Sequence, residues 1–198
     1  MQRRVVAAFM AAWLGVFATS IAYHLAAPGS VRQALSTLDN GAIFVVVAAG
    51  WAPLAAFKLP GQEAGKALMS VWCLAALGLG TEVLAIATGW QSEFQSVAYA
   101  IYLVQGGLPF LLYRRTIFGR LSRASLGFLF VSLATYGAGF AFYKRPDVAW
   151  HHVAWHAAVV GGCLLNFGGV RQLLRERAAS WPAAPARAFT PAPPGSPT

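Results

Sequence analysis

Six stretches of about 18 or more mainly apolar residues follow one another along this chain, each long enough to cross the hydrocarbon core of a bilayer as a helix. They fall at roughly 5–26, 37–57, 65–88, 94–113, 122–143 and 149–173. In lipid a backbone must satisfy its own N–H and C=O groups, which leaves helices and closed barrels, and no run here alternates as a barrel strand does. The expected fold class is therefore all-α, an integral membrane helical bundle of six transmembrane helices, occupying residues 1–177 as one domain. The stretches between the runs, APGSVRQ, KLPGQEAGK, TGWQSE, RRTIFGRLSR and YKRPD, read as short turns between antiparallel neighbours. Residues 178–198 are rich in Ala and Pro without an apolar period and read as a disordered tail. The amino terminus begins MQRR before an apolar stretch of about 20 residues, too long for the core of a secretory signal, so it is taken as the first helix.

A content of 58% hydrophobic and 11% charged residues excludes an ordinary soluble domain. The net charge of +9 would suit a nucleic-acid partner only if it lay on a folded polar face, and it falls instead in the gaps between apolar runs. No nucleic acid is expected. With the amino terminus inside, Arg3, Arg4, Lys58, Lys66, Arg114, Arg115, Arg120, Arg123, Arg171, Arg175, Arg177 and Arg187 lie on the inner side, against Arg32, Lys144 and Arg145 outside. Twelve against three satisfies the positive-inside rule with both termini in the cytoplasm. Cys73 and Cys163 lie in separate apolar runs with no paired spacing, and are expected as buried thiols rather than a disulfide.

Chemistry concentrates in three places. His152 and His156, in WHHVAWHAAVVGG, are four apart and share a helix face; Ser20 and His24, in SIAYHLA, have the same spacing at the end of the first run; Asp39 opens the second. Helix alternation carries all of them to one membrane face at matching depth. Ionisable groups inside membrane helices are costly and turn toward the bundle interior, so the three segments are expected to share a site. Three imidazoles form a zinc set with a fourth position open to water, whose pKa the metal lowers to roughly 7. Asp39 would hold or deprotonate that water, and Ser20 would hydrogen-bond to Asp39, to the water or to an oxyanion. Blander readings stand beside these: Asp39 as a cap of the second helix, Ser20 bonded back to the carbonyl of Val16, the histidine pair as part of a haem clamp. His151 points away from His152 and reads as an interfacial group. Glu82, within the third run, and Glu93, in the turn after it, have no partner legible in the sequence. Paired glycines, Gly78 with Gly80, Gly137 with Gly139 and Gly161 with Gly162, read as helix-packing positions.

The same segments carry a resemblance. SIAYHLA is similar to the Ser-x-x-x-His segment of the hemolysin III group in the progestin and adipoQ receptor family, within the superfamily that includes alkaline ceramidases. LDNGAIFVVVAAGWAP is similar to its Leu-Asp segment ending in a Gly-x-x-Pro turn. WCLAALGLG, YGAGFAFY and HVAWHAAVVGG follow in the family's order, and the likeness covers roughly residues 15–170. It implies zinc (Zn2+) on His24, His152 and His156, with Ser20 and Asp39 beside the metal. Two features depart from the pattern: the family usually has seven helices, the first without a counterpart among these six runs, and Asn40 stands where bacterial members commonly have His.

The function expected is a zinc-dependent hydrolase acting on a lipid amide or ester through metal-activated water, with membrane lipids and a lipid-like ligand as partners. The alternative is a non-enzymatic hemolysin III or receptor-like protein whose zinc is structural. The location implied is a bacterial inner membrane, with the site opening toward the periplasm.

Overall fold

Each apolar run becomes one helix in the computed structural model, which describes residues 2–179. The helices are α1 (Gln2–Leu25), α2 (Ser30–Lys58), α3 (Gly61–Thr88), α4 (Gln91–Arg120), α5 (Arg123–Tyr143) and α6 (His151–Ala179). No strand occurs among the described residues, and all six helices are long and apolar enough to cross a membrane. The chain is a multi-pass helical membrane protein. Of the tail expected at 178–198, residues 180–198 lie outside the described residues.

The helices run further than the apolar runs, and two expectations need correction. RRTIFGRLSR is not a turn: α4 continues through it to Arg120, with non-helical backbone at Tyr113 (φ −112°, ψ 20°), and only Leu121 and Ser122 connect to α5. Likewise α2 begins at Ser30, so Asp39 is well inside it, and no acidic residue stands in its first turn. A helix-cap role for Asp39 is thereby excluded. The physical reason is common to both cases: hydropathy marks where the lipid tails end, but backbone hydrogen bonding carries the helix on into the polar zone until a turn residue stops it. Glu93, expected in a turn, is in the first turn of α4 for the same reason.

The second helix is the centre of the bundle. It packs on α1, α3, α4 and α6, and half of its apolar window is buried, against 28% or less in every other helix. Ala48, Ala49 and Ala55 let neighbours close on it, and Phe44 is fully buried where α3 offers Gly78 in place of a side chain. Gln105 of α4, also fully buried, donates its amide to the carbonyls of Phe44 (2.8 Å) and Val71 (3.1 Å), joining three helices in a place without water. Helices α5 and α6 form a tight hairpin, in which Tyr136 fills the space over Gly162. Outward-facing Leu14, Leu77, Leu103 and Leu164 form the surface presented to lipid. Cys73, expected to be buried, is on that exposed surface, while Cys163 is half-buried; both are free.

The two ends of the bundle differ. At one, Glu176 of α6 accepts from Lys58, Ser122 and Ser125, tying α2, α5 and α6 together. The opposite end holds the carboxyl termini of α1, α3 and α5 and the amino termini of α2, α4 and α6, and there the histidines meet.

Candidate metal centre

His24 is the penultimate residue of α1, and His152 and His156 occupy the first two turns of α6. The chain enters α6 through Trp150, whose φ of 62° is left-handed. His152 and His156 then face His24 across the gap. Their Nε2 atoms lie 3.4 Å (His152 to His24), 3.2 Å (His156 to His24) and 3.0 Å (His156 to His152) apart. The rings meet nearly edge to face, at 67°, 85° and 81°, so that the three nitrogens converge rather than stack.

Hydrogen bonding alone does not account for this triangle. Each Nε2 carries either one proton or one lone pair, so among three of them at least one edge sets like against like. A cation satisfies all three lone pairs at once. Zinc with ligands at about 2.0–2.1 Å in tetrahedral geometry sets its nitrogens roughly 3.3–3.4 Å apart, close to the separations found. The donor set, three neutral imidazoles presented by the same nitrogen, therefore fits a metal, and these three residues form a group able to hold one.

The other expected site residues sit alongside. The Ser20 side chain hydrogen-bonds to the Asp39 carboxylate, and Asp39 is within electrostatic reach of His24. It is the neighbouring Thr19, not Ser20, that bonds back along α1, to the carbonyls of Gly15 (3.1 Å) and Val16 (3.0 Å). His151 is outside the triad, its Nδ1 3.1 Å from the carbonyl oxygen of Val148. Just outside the bilayer end of α5, Arg145 grips Asp147 with two short contacts (2.7 and 2.8 Å), which holds the Asp147 carboxyl below the usual range and shapes the turn that leads to Trp150.

Several residues whose partners are not legible in the sequence join this polar end. Asn40 hydrogen-bonds to the Glu82 side chain and, through its carbonyl, accepts from the Tyr102 hydroxyl at 2.9 Å. Tyr99 and Tyr143 meet at 3.5 Å between hydroxyls, and the Tyr143 ring lies 6.2 Å from that of His152. An acidic residue in an apolar run is itself a signal for Glu82. Nothing in the spacing of Tyr99 and Tyr102 distinguishes them from packing aromatics.

With this geometry established, the sequence profile of a family described as Haemolysin-III related matches residues 1–167. The chain belongs to the haemolysin III family. Among relatives, the Hemolysin-3 homolog of Bacillus subtilis (strain 168) is 26% identical over 159 residues, covering 80% of this chain and 72% of that one. Hemolysin-3 of Bacillus cereus is 22% identical over 137 residues, which is 69% of this chain and 60% of the relative. No protein of solved structure matches.

Proposed function

We propose that this haemolysin III protein is a zinc-dependent membrane hydrolase acting on an amide or ester of a lipid-like substrate. The observation that carries the reading is the convergence of three Nε2 atoms beside the Ser20–Asp39 pair. His24, His152 and His156 would hold the ion. Zinc in such a site supplies Lewis acidity and brings the pKa of water at its open position to about 7. Asp39 would serve as the general base toward that water. Ser20, as a donor to that carboxylate, would help to orient it. The lipid-facing helices offer acyl chains an approach from the membrane plane.

A second reading is favoured by one specific observation. The backbones of α1 and α6 do not pack closely along their length, so an ion held by the triad would clamp two helices that otherwise share only the buried side-chain cluster of Trp13, Val46 and Val170. A purely structural zinc, in a protein that binds lipid or perturbs membranes as its relatives' names suggest, would serve that end. Asp39→Asn separates the two. The hydrolase reading expects full zinc content and a loss of lipid-amide or ester cleavage of about a hundredfold or more. Zinc-replete wild-type protein that cleaves no acyl amide or ester in a broad lipid panel leaves the structural reading standing alone.

A further inference from the structure

Next to the triad is a second chamber. The turn between α1 and α2, the first part of α2, the end of α3 and the start of α4 line an open-mouthed cavity of about 480 Å³, within the size range of small-ligand sites. Its lining mixes polar Gln33, Thr37, Asn40 and Glu82 with apolar Ile86 and Phe94. It adjoins the triad through consecutive residues: Tyr23 of the cavity precedes His24, and Asn40 follows Asp39.

Glu82 is the informative member. It is six residues from the end of α3, about 9 Å along the axis, and its carboxylate has Asn40 as a hydrogen-bond partner. Among the described residues it makes no ion pair. The cation in the lining, Arg32, is turned elsewhere: its guanidinium lies 5.2 Å from the Tyr23 ring centroid and donates to the Ala26 carbonyl at 3.3 Å. A carboxylate inside a membrane helix, half-buried and with no ion-pair partner, is expensive in its charged form, and either a proton or the cation of a ligand relieves that cost.

We propose that this cavity receives the ammonium group of an amine-bearing amphiphile, with Glu82 as its counter-charge and Ile86 and Phe94 against the adjoining hydrocarbon. Glu82 is the cavity's one carboxylate, too few charges for a tight divalent-cation site, which gathers six or more oxygens. An ammonium needs only three acceptors, which Glu82, the Asn40 side chain and the Thr37 hydroxyl are of the right kind to supply. The apolar part of the lining distinguishes an amphiphile from a small soluble amine. Calling this amphiphile a substrate rests on the hydrolase reading; its binding does not.

The test uses the purified full-length protein in a non-ionic detergent, with thermal stabilisation as the readout and dodecylamine, dodecanol, dodecanoate and ethanolamine as probes. Dodecylamine should bind about tenfold or more tightly than the other three, and Glu82→Gln should reduce it to the level of dodecanol. Thr37→Trp, which fills the cavity and keeps Glu82, should also remove the binding and serves if the glutamine variant does not fold. Dodecanol or dodecanoate binding as well as the amine, ethanolamine binding as well as dodecylamine, or an undiminished preference in Glu82→Gln each overturns the inference. Lipid cleavage by a protein that does not select dodecylamine in the binding assay sinks this inference alone, whereas amine selection by a protein with no hydrolysis sinks the hydrolase reading alone.

Discussion

At the scale of single residues, four histidines separate into three and one. His152 and His156 project from one face of α6 toward His24, while His151, one position earlier, turns to the carbonyl of Val148. His24→Ala, His152→Ala and His156→Ala are each expected to lose most of the bound zinc, measured by elemental analysis of purified protein. His151→Ala should keep about one zinc per chain. Because a metal that binds only the folded state stabilises it, zinc at a thousandfold excess over its dissociation constant adds about 4 kcal/mol, and the triad variants should melt correspondingly lower. Full zinc occupancy in His152→Ala would remove the metal assignment. The triad itself was readable in advance, since two i, i+4 pairs and an acidic residue fall at matching depths on alternating helices. Glu82's link to Asn40 was not, because the sequence does not say which way around its axis α3 is turned.

Among helices, contact is decided by which glycines the packing uses. Gly78 and Gly80 look equivalent in WCLAALGLG, yet a Cβ at Gly78 would lie 2.2 Å from the Phe44 ring, whereas one at Gly80 meets nothing within 4 Å. Gly139 and Gly162 are occupied in the same way by Ala158 and Tyr136. Phe44 is fully buried and has no room to withdraw. Gly78→Ala should therefore cost about 1–3 kcal/mol through overpacking, while Gly80→Ala should be neutral or slightly stabilising through helix propensity. Thermal unfolding in detergent checks both. Equal melting temperatures for the two variants would mean that the α2–α3 contact at Phe44 is not formed as described.

For the molecule as a whole, the distribution of basic residues bears on which way it sits in the bilayer. The histidine end carries few basic residues, and the opposite end carries most, including Lys58, Arg114, Arg115, Arg120 and Arg123. Charge asymmetry is the physical cause of orientation, and the prediction that follows from it is a triad on the outer side of an inner membrane with both termini in the cytoplasm. Single cysteines in a variant lacking Cys73 and Cys163 report this directly. Ser30→Cys, exposed at the start of α2, should react with a membrane-impermeant thiol reagent in spheroplasts. Gly119→Cys should not; it is exposed at the other end, where a Cβ meets nothing, and unlike Ser122 it caps no helix and holds no part of the Glu176 network. The reverse pattern would put the site on the cytoplasmic face.

By itself the sequence determined that this is a six-helix membrane protein, which end of the bundle is polar, and which three imidazoles meet there. Length, hydropathy and helix period suffice for that, because a bilayer dictates both the secondary structure and the depth of each residue. Only the tertiary structure decided that α2 is the hub, that Gly78 is filled and Gly80 open, that α4 continues to Arg120, and that Glu82 faces a cavity beside Asp39. The reason is that lipid is as apolar as the protein interior. A membrane helix therefore shows no contrast between its buried and exposed faces, and its rotation and neighbours are settled by shape, one side chain against another.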